Sequence, residues 1–161
     1  MAGNPVSDPT IEATIAAALL DLERIGQRVR QVVESNVREY GMHLQNQVRI
    51  NASTGVHQRG QPHILGTGPG PNVATGDYRR SITLEVSAEG VDNIAADVYT
   101  NSEQGARLEY GFVGVDSLGR VFSQSPFPHF HPAGDLIEPR FQAAVRDQVD
   151  AVLRSDGGPG V

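Results

Sequence analysis

The chain contains no lysine, no cysteine and no tryptophan. Without lysine it cannot form a Schiff base, use a lysine general base or supply the lysine of a phosphate-binding nucleotide loop. Without cysteine it has no thiol catalysis, no thiolate metal ligands and no disulfides. Because aromatic residues make up only 6% of the chain, the core must be built mainly from Val, Ile, Leu and Ala.

Strong positive charge and long apolar runs are also missing. Thirteen basic side chains, all arginine, stand against 19 acidic ones, which gives a formal charge of -6. That sign disfavours a broad grip on nucleic-acid phosphates. The best apolar stretch, Ile11 to Leu22, is interrupted by two acids and is too short to cross a bilayer. With no basic segment at the start, the sequence predicts a soluble protein with no membrane partner and no export signal.

A long amphipathic helix is predicted over residues 9–49. Asp8 is a suitable cap, and Pro9 suits the first helical position. Apolar residues then recur in steps of four and three, as in a heptad seam. The seam consists of Ile11, Ile15, Ala18, Leu22, Ile25, Val29 and Val32, and continues one position later with Val33, Val37, Tyr40, Leu44 and Val48. Because interior glycine costs about 1 kcal/mol relative to alanine, a break near Gly26 or Gly41 is an alternative.

The length of this helix bears on function. About 40 residues span roughly 60 Å, whereas a compact domain of this size has a radius of gyration near 15 Å. Either the helix bends at a glycine and folds back over its own core, or part of its seam docks on neighbouring subunits.

The 161 residues suffice for one domain that buries about two-thirds of its unfolded surface. We expect a flexible arm over 1–8, a single domain over 9–154 and a flexible tail over 155–161. Residues 51–75 form a predicted long loop, since they are rich in Gly and Pro and lack apolar periodicity. The glycines from Gly66 onward have no lysine and no preceding strand, so a nucleotide loop is disfavoured.

Alternating apolar residues after the loop predict an antiparallel hairpin, with strands around 82–87 and 94–98 and a turn at Glu89 and Gly90. A short amphipathic piece over 106–112 is expected to bring Leu108 and Tyr110 onto the core, and a second small hairpin is expected to turn at residues 116–119.

A final helix is predicted to begin at Pro132 or Leu136. Asp135 and Glu138 would form its cap, and Pro139 would fall in its first turn. The predicted fold is α+β, with a long N-terminal helix and a C-terminal helix packed on a small antiparallel β-sheet.

Few side chains suggest chemistry. His129 and His131, with Asp135 nearby, form a candidate metal site, although the alternative is two polar residues in a proline-rich loop. Glu103 and Glu109 flank Arg107 in a pattern more typical of an ion network than of an acid/base pair. We therefore expect neither an enzyme nor a cofactor. The adjacent pair Arg79 and Arg80 either binds an anionic partner or brackets the start of a strand.

Three segments, taken in order, carry a family resemblance. They are Ala74-Thr-Gly-Asp-Tyr-Arg-Arg-Ser-Ile82, Ala106-Arg-Leu-Glu-Tyr-Gly111 and Pro128-His-Phe-His-Pro-Ala133. Together, after a long N-terminal helix, they resemble the tail-completion, or neck, family of long-tailed bacteriophages. The chain departs from the family pattern at Tyr78, Phe112, His131 and Gly134, and in its expanded 51–75 segment.

The resemblance implies a structural virion protein of the head-to-tail connector, which forms a six- or twelvefold ring and catalyses no reaction. Its partners would be further copies of itself, adjacent head-closure or connector proteins, and tail-terminator or tail-tube proteins. Genomic DNA would pass through the ring without specific binding. Such a protein would lie in the virion neck, after assembly in the host cytoplasm.

Two alternatives stay open. One is a tail-terminator or head-closure ring protein, and the other, of a different class, is a soluble ligand- or metal-binding module. The candidate interface residues are Leu22, Val29, Arg79, Arg80, Arg107, Glu109, Tyr110 and Phe130.

Overall fold

A computed structural model describes residues 9–53, 76–89, 93–115 and 117–156. Its helices are α1 (Pro9–Asn51), α2 (Asp77–Ser81), α3 (Glu103–Tyr110) and α4 (Phe130–Asp156). Its strands are β1 (Ile82–Glu89), β2 (Asn93–Thr100), β3 (Phe112–Val115) and β4 (Val121–Gln124). This confirms the predicted α+β fold with its two long helices. The predicted arm 1–8, residues 54–75 of the predicted loop and residues 157–161 of the predicted tail lie outside the described residues.

Helix α1 is continuous over 43 residues, a length of about 65 Å. It breaks at neither Gly26 nor Gly41, so it does not fold back over its own core. At Gly41 the helix lies against the first hairpin, where an added Cβ would stand 2.9 Å from the Cβ of Ala96 and 3.0 Å from Leu84. At Gly26 an added Cβ would meet no atom within 4 Å beyond the adjoining backbone of its own helix. Gly41 is therefore a point of close packing, and Gly26 is an open position on the helix.

Helices α1 and α4 pack antiparallel, and three contacts define their register. The Asn36 amide donates to the Gln148 side chain at 2.9 Å, Tyr40 meets Phe141 edge to face, and the Asn51 amide donates to a backbone carbonyl just before α4 at 3.1 Å. At the other end, Arg28 reaches Ser155, one residue before α4 ends. Residues 9–25 of α1 therefore extend about 25 Å beyond α4.

Two separate antiparallel hairpins confirm the predicted strands. In the first, β1 pairs with β2 from Ile82 opposite Thr100 to Glu89 opposite Asn93, and its turn lies outside the described residues. Ile82 is fully buried and joins Val48, Ala52 and Ala133 in the core. In the second hairpin, β3 pairs with β4.

Helix α4 begins at Phe130, so the predicted starts at Pro132 and Leu136 were both wrong. Asp135 and Glu138 lie inside the helix and cannot cap it, and Pro139 is an interior residue. The helix also continues to Asp156, beyond the domain end predicted at residue 154. The true cap is supplied by a side chain 20 residues upstream, which a local motif cannot reveal.

The predicted piece at 106–112 is helix α3 followed by the start of β3. Leu108 is half-buried as expected, but Tyr110 is 79% exposed and does not pack on the core. The residue that α3 buries is Glu109.

Candidate functional site

The three segments that carry the family resemblance meet in one cluster. It consists of Tyr78 from α2, Glu109 from α3 and His129 from the residue before α4, and we call it the buried joint. His129 is 0% exposed and Glu109 is 8% exposed. Local sequence did not reveal this meeting, because the three side chains are 20 to 51 residues apart.

The carboxylate of Glu109 caps α4. One oxygen accepts from the backbone N–H of His129 at 2.8 Å and of Phe130 at 3.0 Å, and the other accepts from His131 at 3.0 Å. The first N–H groups of a helix have no partner within the helix, and the helix dipole favours negative charge there. Burial by itself raises the pKa of Glu109, but the three backbone hydrogen bonds outweigh it and hold the pKa below its usual value.

The imidazole of His129 links the carboxylate to α2. Its Nδ1 lies 2.9 Å from the carbonyl of Phe127 and 3.1 Å from a Glu109 oxygen. Both neighbours are acceptors, so Nδ1 carries a proton, and in the neutral ring Nε2 accepts from the Tyr78 hydroxyl. Burial, followed by the nearby charge of Glu109, raises the pKa of Tyr78 to about 12.

Glycines allow the segments around the joint to come this close. A Cβ on Gly105 would stand 2.5 Å from the Thr100 side chain and 3.5 Å from the Tyr78 hydroxyl. Gly111 has φ +79°, and a Cβ there would meet the Gln124 carbonyl at 2.7 Å. The backbone N–H of Phe127 donates to the Leu108 carbonyl at 2.6 Å. The joint therefore fixes α2, α3 and the start of α4 relative to one another.

A tyrosine, histidine and carboxylate in a row resemble a proton relay. Here both carboxylate oxygens accept from backbone N–H groups, and the imidazole is wholly enclosed. A substrate would have no route to the imidazole without opening the joint. The arrangement ties three segments together by hydrogen bonds, and its geometry is that of a structural cap.

The candidate metal ligands do not come together. His129 belongs to the joint, whereas His131 and Asp135 are exposed. Among the residues that the structure describes, no group of three or more His, Asp or Glu side chains is arranged to hold a metal ion.

The candidate interface residues fall into two groups. Glu109 lies in the buried joint and Phe130 packs against the core, so neither presents an open surface, and Val29 is half-buried. Five are exposed: Leu22, Arg79, Arg80, Arg107 and Tyr110. Of these, Arg80 pairs with Asp77, and the Arg107 guanidinium lies 4.6 Å from the centre of the Phe112 ring.

One uncovered apolar surface is on the projecting part of α1. Ile15, Leu19 and Leu22 are 55%, 61% and 65% exposed, and their spacing of four and three places them on one side of the helix. We call them the overhang stripe. Ile15 and Leu22 belong to the seam that periodicity predicted, whereas Leu19 does not.

A second uncovered surface is on the β3–β4 hairpin. Val113, Val115 and Val121 are 81%, 62% and 80% exposed. They share one face, because Val115 pairs with Val121 and alternate residues of a strand point the same way. We call them the hairpin face. The sequence pattern predicts this hairpin but does not indicate that its valines lie in solvent.

A half-open apolar groove of about 330 Å³ lies between α1, α4 and β2. Its lining includes Tyr40, Leu44, Ile94, Ile137 and Phe141. No titratable group of the buried joint lines it.

No family model, curated protein or solved structure matches the chain. Within the described residues, no helix combines the length and the apolar character needed to span a membrane.

Proposed function

We propose that this protein is a structural component of the head-to-tail connector of a long-tailed bacteriophage. Copies form a ring that joins the DNA-filled head to the tail and contributes to the DNA exit channel. The observation that carries the proposal is the projecting end of α1, with its uncovered apolar stripe.

That projection is poorly suited to a monomer. Most of the stability of a helix in a protein comes from tertiary packing of its apolar face, and on residues 9–25 that face is exposed at Ile15, Leu19 and Leu22. Full burial of a Leu or Ile side chain contributes about 1.5–3 kcal/mol. The three side chains of the overhang stripe, each 55–65% exposed, would thus gain about 3–5 kcal/mol on burial. A neighbouring subunit is the partner that recovers this energy.

The buried joint is a second observation that supports the proposal. Segments that looked independent in the sequence turn out to build one structural unit, in which Glu109 and His129 hold the fold together. The same burial argues against catalysis, since the titratable groups are enclosed. No cofactor is part of the proposal.

A ring built from one repeated head-to-tail contact must close on itself, and six or twelve copies follow by analogy with neck rings. The neighbours in the virion would be head-closure or connector proteins on one side and tail-terminator or tail-tube proteins on the other. DNA would pass through a lumen lined by acidic side chains, which repel phosphates and let the genome slide. A tail-terminator or head-closure ring is the nearest rival, and the same apolar surfaces would serve it.

The test compares the wild type with Leu22→Asp by negative-stain electron microscopy. We expect closed rings for the wild type and none for the variant. Because Leu22 is 65% exposed, the variant should keep the wild-type circular dichroism spectrum. Leu136→Asp is the matched control, since Leu136 is an exposed leucine on α4, and it should still form rings. Rings that persist in Leu22→Asp, or their absence from the wild type, would overturn the proposal.

A further inference from the structure

We infer that the two uncovered apolar surfaces bind each other between copies of this chain. The hairpin face of one copy packs on the overhang stripe of the next. The inference rests on the proposed ring and names the contact that builds it.

The hairpin requires a partner on physical grounds. A two-stranded hairpin is at best marginally stable in water unless a helix or further strands cover its apolar face. One face is already occupied within the copy: Phe112 lies under the Arg107 guanidinium, and a Cβ on Gly114 would stand 2.7 Å from the Phe112 ring. The opposite face carries the three exposed valines, and no helix in the described parts of the chain covers them.

The overhang stripe has the dimensions that this face needs. From Ile15 to Leu22 the helix advances about 10 Å. Strands of four residues, as in β3 and β4, extend about 13 Å. A helix laid on this two-stranded face would cover Val113, Val115 and Val121 with Ile15, Leu19 and Leu22.

One copy cannot make this contact with itself. The hairpin lies beside the start of α4, because the Gln124 amide donates to the Arg107 carbonyl and Phe127 bonds to Leu108. The start of α4 lies level with Asn51 at the end of α1. Leu19 is 32 positions away along a continuous helix, which is about 48 Å. The two surfaces therefore lie at opposite ends of the molecule, as a head-to-tail contact requires.

The absence of cysteine provides a clean test. Three kinds of sample are prepared: Leu19→Cys and Val121→Cys each alone, a mixture of these two single variants, and one chain that carries both substitutions. Each sample is then mildly oxidised. We expect no disulfide dimer from either single variant, a dimer from the mixture, and from the double variant a ladder that ends at the ring size. Glu85→Cys, at an exposed position of β1, is the control and should not cross-link to Leu19→Cys.

Other results would separate the two proposals. A second mixture pairs Leu22→Cys with Val113→Cys. If rings form but neither mixture cross-links, this contact is wrong, whereas the proposed ring is unaffected. Dimers from Val121→Cys alone would mean that hairpins pair with each other, which also contradicts the inference. A chain that stays monomeric at every concentration would refute the ring and the contact together.

Discussion

The carboxylate of Glu109 should contribute more to stability than any surface charge of this protein. It accepts three backbone hydrogen bonds at the start of α4 while only 8% exposed. Glu109→Ala removes both acceptor oxygens and with them all three hydrogen bonds, so the backbone N–H groups of His129, Phe130 and His131 lose their acceptor. Glu109→Gln keeps the shape and one acceptor oxygen, but it removes the charge and turns an amide N–H toward a backbone N–H.

The expected magnitude follows from these contacts. A hydrogen bond to a charged group contributes about 1.5–3 kcal/mol, and such contributions do not simply add. Breaking a buried charged contact from one side typically costs about 3–5 kcal/mol. We expect a loss of about 3–5 kcal/mol for Glu109→Ala and about 2–3 kcal/mol for Glu109→Gln. At about 2–4 °C per kcal/mol for a chain of this size, Glu109→Gln should melt roughly 4–12 °C below the wild type.

The assay is urea unfolding at pH 7, followed by circular dichroism and repeated down to acidic pH. Because the pKa of Glu109 is lower in the folded than in the unfolded state, its contribution is full above about pH 4.5 and is lost as the pH falls through the folded value. Glu109→Gln should lack that part of the acid dependence. Glu103→Gln, in the same helix but exposed, should stay within about 0.5 kcal/mol of the wild type. A Glu109→Gln variant as stable as wild type, or with the same acid dependence, would refute the role of the cap.

Three further predictions concern helix packing, the tyrosine and the metal alternative. Gly26→Ala should raise the free energy of unfolding by about 1 kcal/mol through helix propensity, whereas Gly41→Ala should lower it by about 1 kcal/mol because its Cβ collides with Ala96; equal stabilisation by both would contradict the packing. Tyr78→Phe should cost about 1 kcal/mol at pH 7 for the lost hydrogen bond to His129. Since the pKa of Tyr78 rises from 10.0 to about 12 on folding, wild-type stability from this group should fall above pH 10; tyrosinate absorbance checks this, and an unchanged alkaline loss in Tyr78→Phe would count against it. Zinc titration calorimetry should show no binding heat, and heat that disappears in a variant with both His129 and His131 replaced would revive the metal-site alternative.

The periodic elements were predictable because their signals are local. The seam of α1, the alternation of β1 and β2 and the apolar face of α4 each depend on neighbours within a few residues. The start of α4 was not predictable in this way, since its cap is Glu109, which comes from another helix. Asp135 and Glu138 have the spacing of a capping box, but both lie inside α4, which begins at Phe130.

Burial along α3 and at the glycines also depends on tertiary structure. The amphipathic pattern favoured burial of Leu108 and Tyr110, yet the unpaired N–H groups of α4 draw the carboxylate of Glu109 inward and leave Tyr110 in solvent. Gly26 and Gly41 look alike in the sequence. Only the neighbouring hairpin, with Ala96 at 2.9 Å from a would-be Cβ, makes Gly41 a packing position.

The candidate site was predictable only in part. Leu22 was identified from the seam and is indeed exposed at 65%. The hairpin face was missed, because valines in a short strand ordinarily indicate burial. No local signal reveals that none of the described helices of the same copy covers the valines of the β3–β4 hairpin.

The mass of the protein in solution tests the central claim most directly. Native mass spectrometry across a range of protein concentrations should give one closed species, at six or twelve times the chain mass of 17.2 kDa. A 17.2 kDa monomer at every concentration, or an open series of oligomers that lengthens as the concentration rises, would contradict the account.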